Sequence, residues 1–242
     1  MDWGRSKTIL ILSFLCLNLL LGYQLLQIQN DSGNLSNDSV RDTYSIEKML
    51  ELNNIRMVSA IPTETPKVRD LIVKYEMLPG IRQYFEKPIK ANAVFERKTL
   101  SDIISEQIPS AKYYVLDKSL SSNSYYVMNQ MYKDRPIYNV QLDLYAIDGM
   151  IGEYSQSKVQ VKEIETKPLE QVMSARRALQ FLIENYLMKG MVIQSIELGY
   201  HGQEFQTDTQ LLAPKWRFVL KDGTRYYVHA INGEVDVVEK GQ

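Results

Sequence analysis

The chain has 242 residues, 45% of them hydrophobic and 24% charged, with a net charge of −1. This composition fits a folded chain with one large domain or two small ones. Balanced charge without a Lys/Arg stripe gives no basis for nucleic-acid binding, and a single cysteine, Cys16, rules out an internal disulfide framework or a Cys-based metal site.

Residues 1–7 carry Arg5 and Lys7 against Asp2 and are expected in the cytoplasm. Residues 8–28, TILILSFLCLNLLLGYQLLQI, hold no charge. At about 1.5 Å per residue they extend about 31 Å, the thickness of a hydrocarbon core. The next basic residue is Arg41, so the positive-inside bias keeps the N-terminus in the cytoplasm and exports the rest. A cleavable signal would need a shorter apolar core and small residues before the cut, and the stretch after Tyr23 offers only poor ones. Cys16 follows Leu15 in mid-segment, which does not fit an acylated lipoprotein cysteine and reads as a lipid-facing side chain. Lipid does not explain Ser13, Asn18 and Gly22. Asn18 needs a hydrogen-bond partner near the midplane, and Gly22, four residues on, allows a second helix to approach. These three are the candidate partner-binding residues.

Residues 29–42, QNDSGNLSNDSVRD, read as a flexible tether with a reach of about 20 Å. The exported domain is expected over 43–242. It opens with a short helix in SIEKMLELNN, followed by strands at 55–61, 69–78 and 90–97 and a helix at 99–107 ended by Pro109.

The second half contains a repeat. YYVMNQMY, a turn, IYNVQLDLYAI, Asp148-Gly149 and MIGEY match KWRFVL, a turn, RYYVHAI, Asn232-Gly233 and EVDVVE. Asp-Gly and Asn-Gly favour type I′ hairpins, so each copy predicts a three-stranded meander. A helix precedes each: 99–107 for the first and, for the second, PLEQVMSARRALQFLIENYLMKG, with Pro168 in its first turn and Gly190 at its stop. The expected class is α+β, antiparallel sheets with helices packed on them, the second unit covering about 166–239.

These blocks, with the opening MDWGRSKTILIL, the strand IELGYHGQEF and the ending PKWRFVLKDGTRYYVHAINGEV, resemble the YycI (WalI) family. The ending is also similar to the wider PepSY pattern of helix plus three strands. The resemblance implies a membrane regulator in Gram-positive bacteria acting with YycH on the sensor histidine kinase YycG (WalK), the partner of the response regulator YycF (WalR), in control of cell-wall metabolism. It implies contact through the transmembrane helix, with ectodomains pairing alongside, and no catalytic residues.

The residues themselves show no catalytic pattern. His201 and His229 have no neighbour at metal-ligand spacing, and GxSxG, SxxK and phosphate-loop patterns are absent. No metal or cofactor is expected. The 16 tyrosines, among them Tyr113, Tyr125, Tyr126, Tyr138, Tyr145, Tyr226 and Tyr227, read mostly as strand residues with one wet end. A minority would face a protein partner or a wall polysaccharide. The alternative function is therefore an extracytoplasmic module sensing a wall ligand or secreted peptide; a wall hydrolase ranks last.

Overall fold

The computed structural model describes residue 7 and residues 10–23, 46–91, 99–203 and 207–239. The chain divides into two compact units, Met1–Lys48 and Met49–Gln242. In the first, residues 10–23 form helix α1, and all their side chains are exposed. Fourteen residues extend about 21 Å, and no helix among the described residues is long and apolar enough to cross a membrane. Residues 8–9 and 24–28 of the expected span, and the tether 29–42, lie outside the described residues.

Helix α2 covers 46–52. Asn53 ends it by donating from Nδ2 to the Met49 carbonyl (2.9 Å), and Asn54 takes φ 51°, a conformation asparagine tolerates at a C-terminal stop. Strands β1 (Arg56–Met57), β2 (Lys67–Val68), β3 (Leu71–Met77) and β4 (Arg82–Lys90) follow. The expected strand at 55–61 shrinks to two residues. The strand expected at 90–97 ends at Lys90 instead, and 92–98 lie outside the described residues.

The first repeat contains α3 (Thr99–Gln107), a 3₁₀ turn (Pro109–Tyr113), β5 (Tyr114–Leu116), β6 (Tyr125–Tyr132), β7 (Arg135–Ile147) and β8 (Met150–Gln156). After β9 (Lys158–Glu163) and β10 (Glu170–Gln171), the second contains α4 (Ala175–Asn185), β11 (Val192–His201), β12 (Thr209–Leu220), β13 (Arg225–His229) and β14 (Val235–Val238). Each repeat is thus a helix followed by four antiparallel strands, one more than the predicted meander. The sheet runs β14-β13-β12-β11-β7-β6-β5, with β8 also on β7 and β4 on β8. The repeats join through one parallel pairing, Tyr200 with Ile137.

Helix α4 starts seven residues after Pro168. Ser174 caps it, its hydroxyl accepting from the Arg177 N–H at 3.2 Å, while Glu170–Gln171 pair with β2. Val172 and Met173 therefore precede the helix, and Gly190 (φ 85°) lies in a later turn. Two turns also differ from expectation. Lys133-Asp134 is a two-residue turn with both φ positive (45° and 63°), like Asp148-Gly149 (51° and 76°). At Asn232-Gly233 only Gly233 is positive (79°), so that turn is not type I′.

Ile103, Ile104 and Phe85 pack with Tyr126, Leu144 and Ile151 on one face of the first repeat. Gln107 of α3 pairs with β4 as a strand would, within the register shift between Tyr84 and Ile89: its side-chain amide accepts from the Lys87 N–H (3.0 Å) and donates to the Lys87 carbonyl (2.9 Å). In the second repeat α4 buries Ala178, Leu179, Leu182 and Ile183, and Tyr186 meets the Tyr226 ring edge-on at 6.2 Å.

Candidate functional site

Strand alternation divides β12 sharply. Trp216 and Phe218, fully buried, point one way, and the Trp216 indole donates to the Met173 carbonyl at 2.9 Å. Lys215 and Arg217 point the other way and are also buried, at 6% and 2% exposure. A buried charge needs partners, and Arg217 has them. One terminal nitrogen donates to Asp117, and the other donates to Glu197 at 3.0 Å. Its guanidinium lies 4.2 Å over the Tyr138 ring. Burial works against its charge, but Tyr138, Asp117 and Tyr227 outweigh that and hold its pKa above the usual arginine value. Asp117 sits just after β5, so this pair ties the first repeat to the second. Asn129 extends the network, donating to Asp117 at 2.9 Å and accepting from Gln141 at 3.3 Å.

Tyr138 reaches Arg217 because β7 crosses close to β11. A Cβ at Gly199 would lie 2.5 Å from the Pro136 carbonyl oxygen and 2.7 Å from the Tyr138 ring, so only glycine lets the ring pass. Its hydroxyl donates to the Glu197 carbonyl at 3.0 Å. Tyr138 then lies 5.5 Å from Tyr227, which stacks on His201 at 3.8 Å with the two rings nearly parallel. Desolvation pushes the Tyr138 and Tyr227 phenols up. Burial, and then Lys215, lower His201 to about 4, so its ring is neutral at ordinary pH.

Tyr138, Tyr227 and His201 of β11 line a polar cleft of about 520 Å³ between the repeats, together with Gln141 and Asp143 of β7, Ser155 of β8, Arg225 of β13 and Asp236 of β14, among others. Lys215 pairs with Asp236. Asp143 accepts from the Tyr125 hydroxyl at 2.9 Å, and burial raises its carboxyl. His201 Nδ1 and Arg225 Nε are buried without a hydrogen-bond partner among the described residues. No cluster of His, Cys, Asp or Glu suited to a metal occurs among those residues.

The model of the YycI protein family matches residues 74–231. The chain belongs to the YycI family. That match spans the first repeat, the second as far as residue 231, and the cleft except for Asp236 and Val238 of β14. No curated protein matches. Among solved structures, an uncharacterized protein from Eubacterium rectale ATCC 33656 is similar at 8% identity and a TM-score of 0.37, over 86% of this chain and 83% of that one. YycI is a regulatory family, and membership ties this chain to the YycFG two-component system.

The three sequence-selected residues lie elsewhere. Ser13, Asn18 and Gly22 are all on α1 and exposed, and among the described residues nothing packs within 4 Å of a Cβ built on Gly22. At about 100° per residue, Asn18 and Gly22 share a face of this YycI helix, and Ser13 lies about opposite Gly22. His229 has a local role, its Nδ1 accepting from the Ile231 N–H at 3.2 Å. Apart from Tyr138, Tyr227 and His201, the cleft residues escaped the sequence reading because five strands and the residues around them supply them. The one local signal was charge at alternate positions in KWRFVL, between two core aromatics.

Proposed function

We propose that this YycI-family chain is a non-enzymatic, single-pass membrane regulator of the sensor kinase YycG (WalK), acting with YycH. Family membership over residues 74–231 carries the reading. The uncharged segment 8–28 supports the anchor, and Arg5 and Lys7 before it support a cytoplasmic N-terminus with an extracytoplasmic domain. The helical part of that segment carries exposed apolar side chains, from Leu10 (74%) to Leu21 (51%), as a helix bathed in lipid should. Its Asn18–Gly22 face is the proposed contact with a kinase or companion helix. By linkage, such a contact shifts the kinase only if it binds the active and inactive states with different affinity.

The test is to replace residues 8–28 by an unrelated apolar helix and follow kinase output in cells. Loss of regulation with the exported domain still present is the expected result, and unaltered output would overturn the reading. A second reading, an extracytoplasmic binding module, has the polar cleft in its favour.

A further inference from the structure

The cleft is nearly balanced in charge. Lys215 pairs with Asp236, and the Arg225 guanidinium and the Asp143 carboxyl both line the cleft. An anion entering it meets two carboxylates, Asp143 and Asp236, and a cation meets Arg225. A hydroxyl group suits both kinds of wall, because it donates and accepts at once. Arg225 and His201 both line the cleft, and each keeps a buried nitrogen without a hydrogen-bond partner among the described residues.

Beside the cleft, the same sheet face carries exposed aromatic surface. Strand pairing sets Arg82, Ser155, Asp143 and Val127 in one row across β4, β8, β7 and β6, and Tyr84, Glu153, Tyr145 and Tyr125 in the neighbouring row on that face. Tyr84 is 76% exposed, and Tyr145 and Tyr125 lie 5.4 Å apart with Arg82 stacked 4.2 Å over Tyr145. Two strand spacings separate Tyr84 from Tyr145, about 10 Å. Aromatic rings beside carboxylate, amide and guanidinium groups match a pyranose, which has apolar C–H faces and a rim of hydroxyls. The floor strands offer no ladder to a peptide, because β8 is paired by β4 and β7 on its two sides, and β7 by β6 and β8.

We propose that this cleft and its tyrosine row bind a neutral oligosaccharide. The volume suits a segment of roughly two to three sugar rings. The proposal gives the binding-module reading a ligand class and is independent of the anchor contact, so the anchor exchange and the assay below can fail separately.

The assay is calorimetry on the full chain in a detergent without a sugar headgroup. The probes are cellotetraose and tetra-N-acetylchitotetraose, with trialanine and inorganic phosphate as controls. Saturable binding of at least one tetrasaccharide is expected. Arg225→Gln should weaken it about tenfold by removing a charge-assisted hydrogen bond, and Arg225→Lys should restore part of it. Tyr84→Ala changes an exposed ring, so it keeps the test sound if Arg225→Gln fails to fold, and it should also weaken binding. Three results would each overturn the proposal: no saccharide binding at millimolar concentration, unchanged affinity in a folded variant, or displacement of the sugar by trialanine.

Discussion

With 2% of its surface exposed, Arg217 keeps a full charge inside the fold, and the cost is met only while Asp117 and Glu197 hold it. Arg217→Met preserves most of the volume but leaves the Asp117 carboxylate buried with only neutral donors, the Asn129 amide and the Ser119 N–H. Urea denaturation should show a loss of about 3–5 kcal/mol. Adding Asp117→Leu should recover part of it, because the two residues act as a unit. His201 gives the fold a pH dependence of known sign. Its folded-state pKa of about 4 lies below the ordinary 6.5, so between those values the unfolded chain binds the proton more readily. Stability from the neutral ring is complete above about pH 6.5 and is lost as pH falls toward 4, with a limit on the order of 3 kcal/mol. Asp143, raised by burial, acts in the opposite direction. Comparing melts of the wild type and His201→Gln across this range isolates the histidine, and parallel curves would refute the assignment.

At the level of elements, α4 depends on its start. The Ser174 hydroxyl satisfies the Arg177 N–H, and Ser174→Ala should lower stability by about 1 kcal/mol, read as a shift in urea midpoint. The same helix shows where sequence reading works and where it stops. Leu179, Leu182 and Ile183 were legible as its buried stripe, but Pro168 suggested too early a start because Glu170 and Gln171 are drawn into pairing with β2. The antiparallel run β6–β7–β8 was legible from alternation and the Asp148-Gly149 turn. Strand β4, RQYFEKPIK, was not, because Glu86, Lys87 and Pro88 break its pattern and its partner β8 lies far along the chain, Lys90 pairing with Met150 and Arg82 with Ser155. The cleft was illegible for the same reason. Asp143 and His201 line one cleft only when the two repeats share a sheet. Gly199 looked like any strand glycine until the Tyr138 ring crossed it; Gly199→Ala should cost about 1–3 kcal/mol by overpacking, measured by the same titration.

Across the whole second unit, the repeats resemble two domains in their helix-then-strands order but not in their connections. Strand β7 pairs with β6 and β8 of its own repeat and with β11 of the other, and Arg217 of β12 reaches Asp117 beyond β5. Unfolding should therefore be a single event. Far-UV circular dichroism and tryptophan fluorescence should give coincident urea midpoints, and two separated transitions would mean that the repeats fold independently. The outer strands of this sheet have a further consequence. Strand β5 has three residues and β14 four, too short to recruit much of another chain, whereas β4 has nine. At β4 the Gln107 amide occupies the backbone groups of Lys87, and Pro88 has no N–H to offer. The longest of these three strands is thus interrupted at Lys87 and Pro88, which hinders another copy of the chain from extending the sheet there.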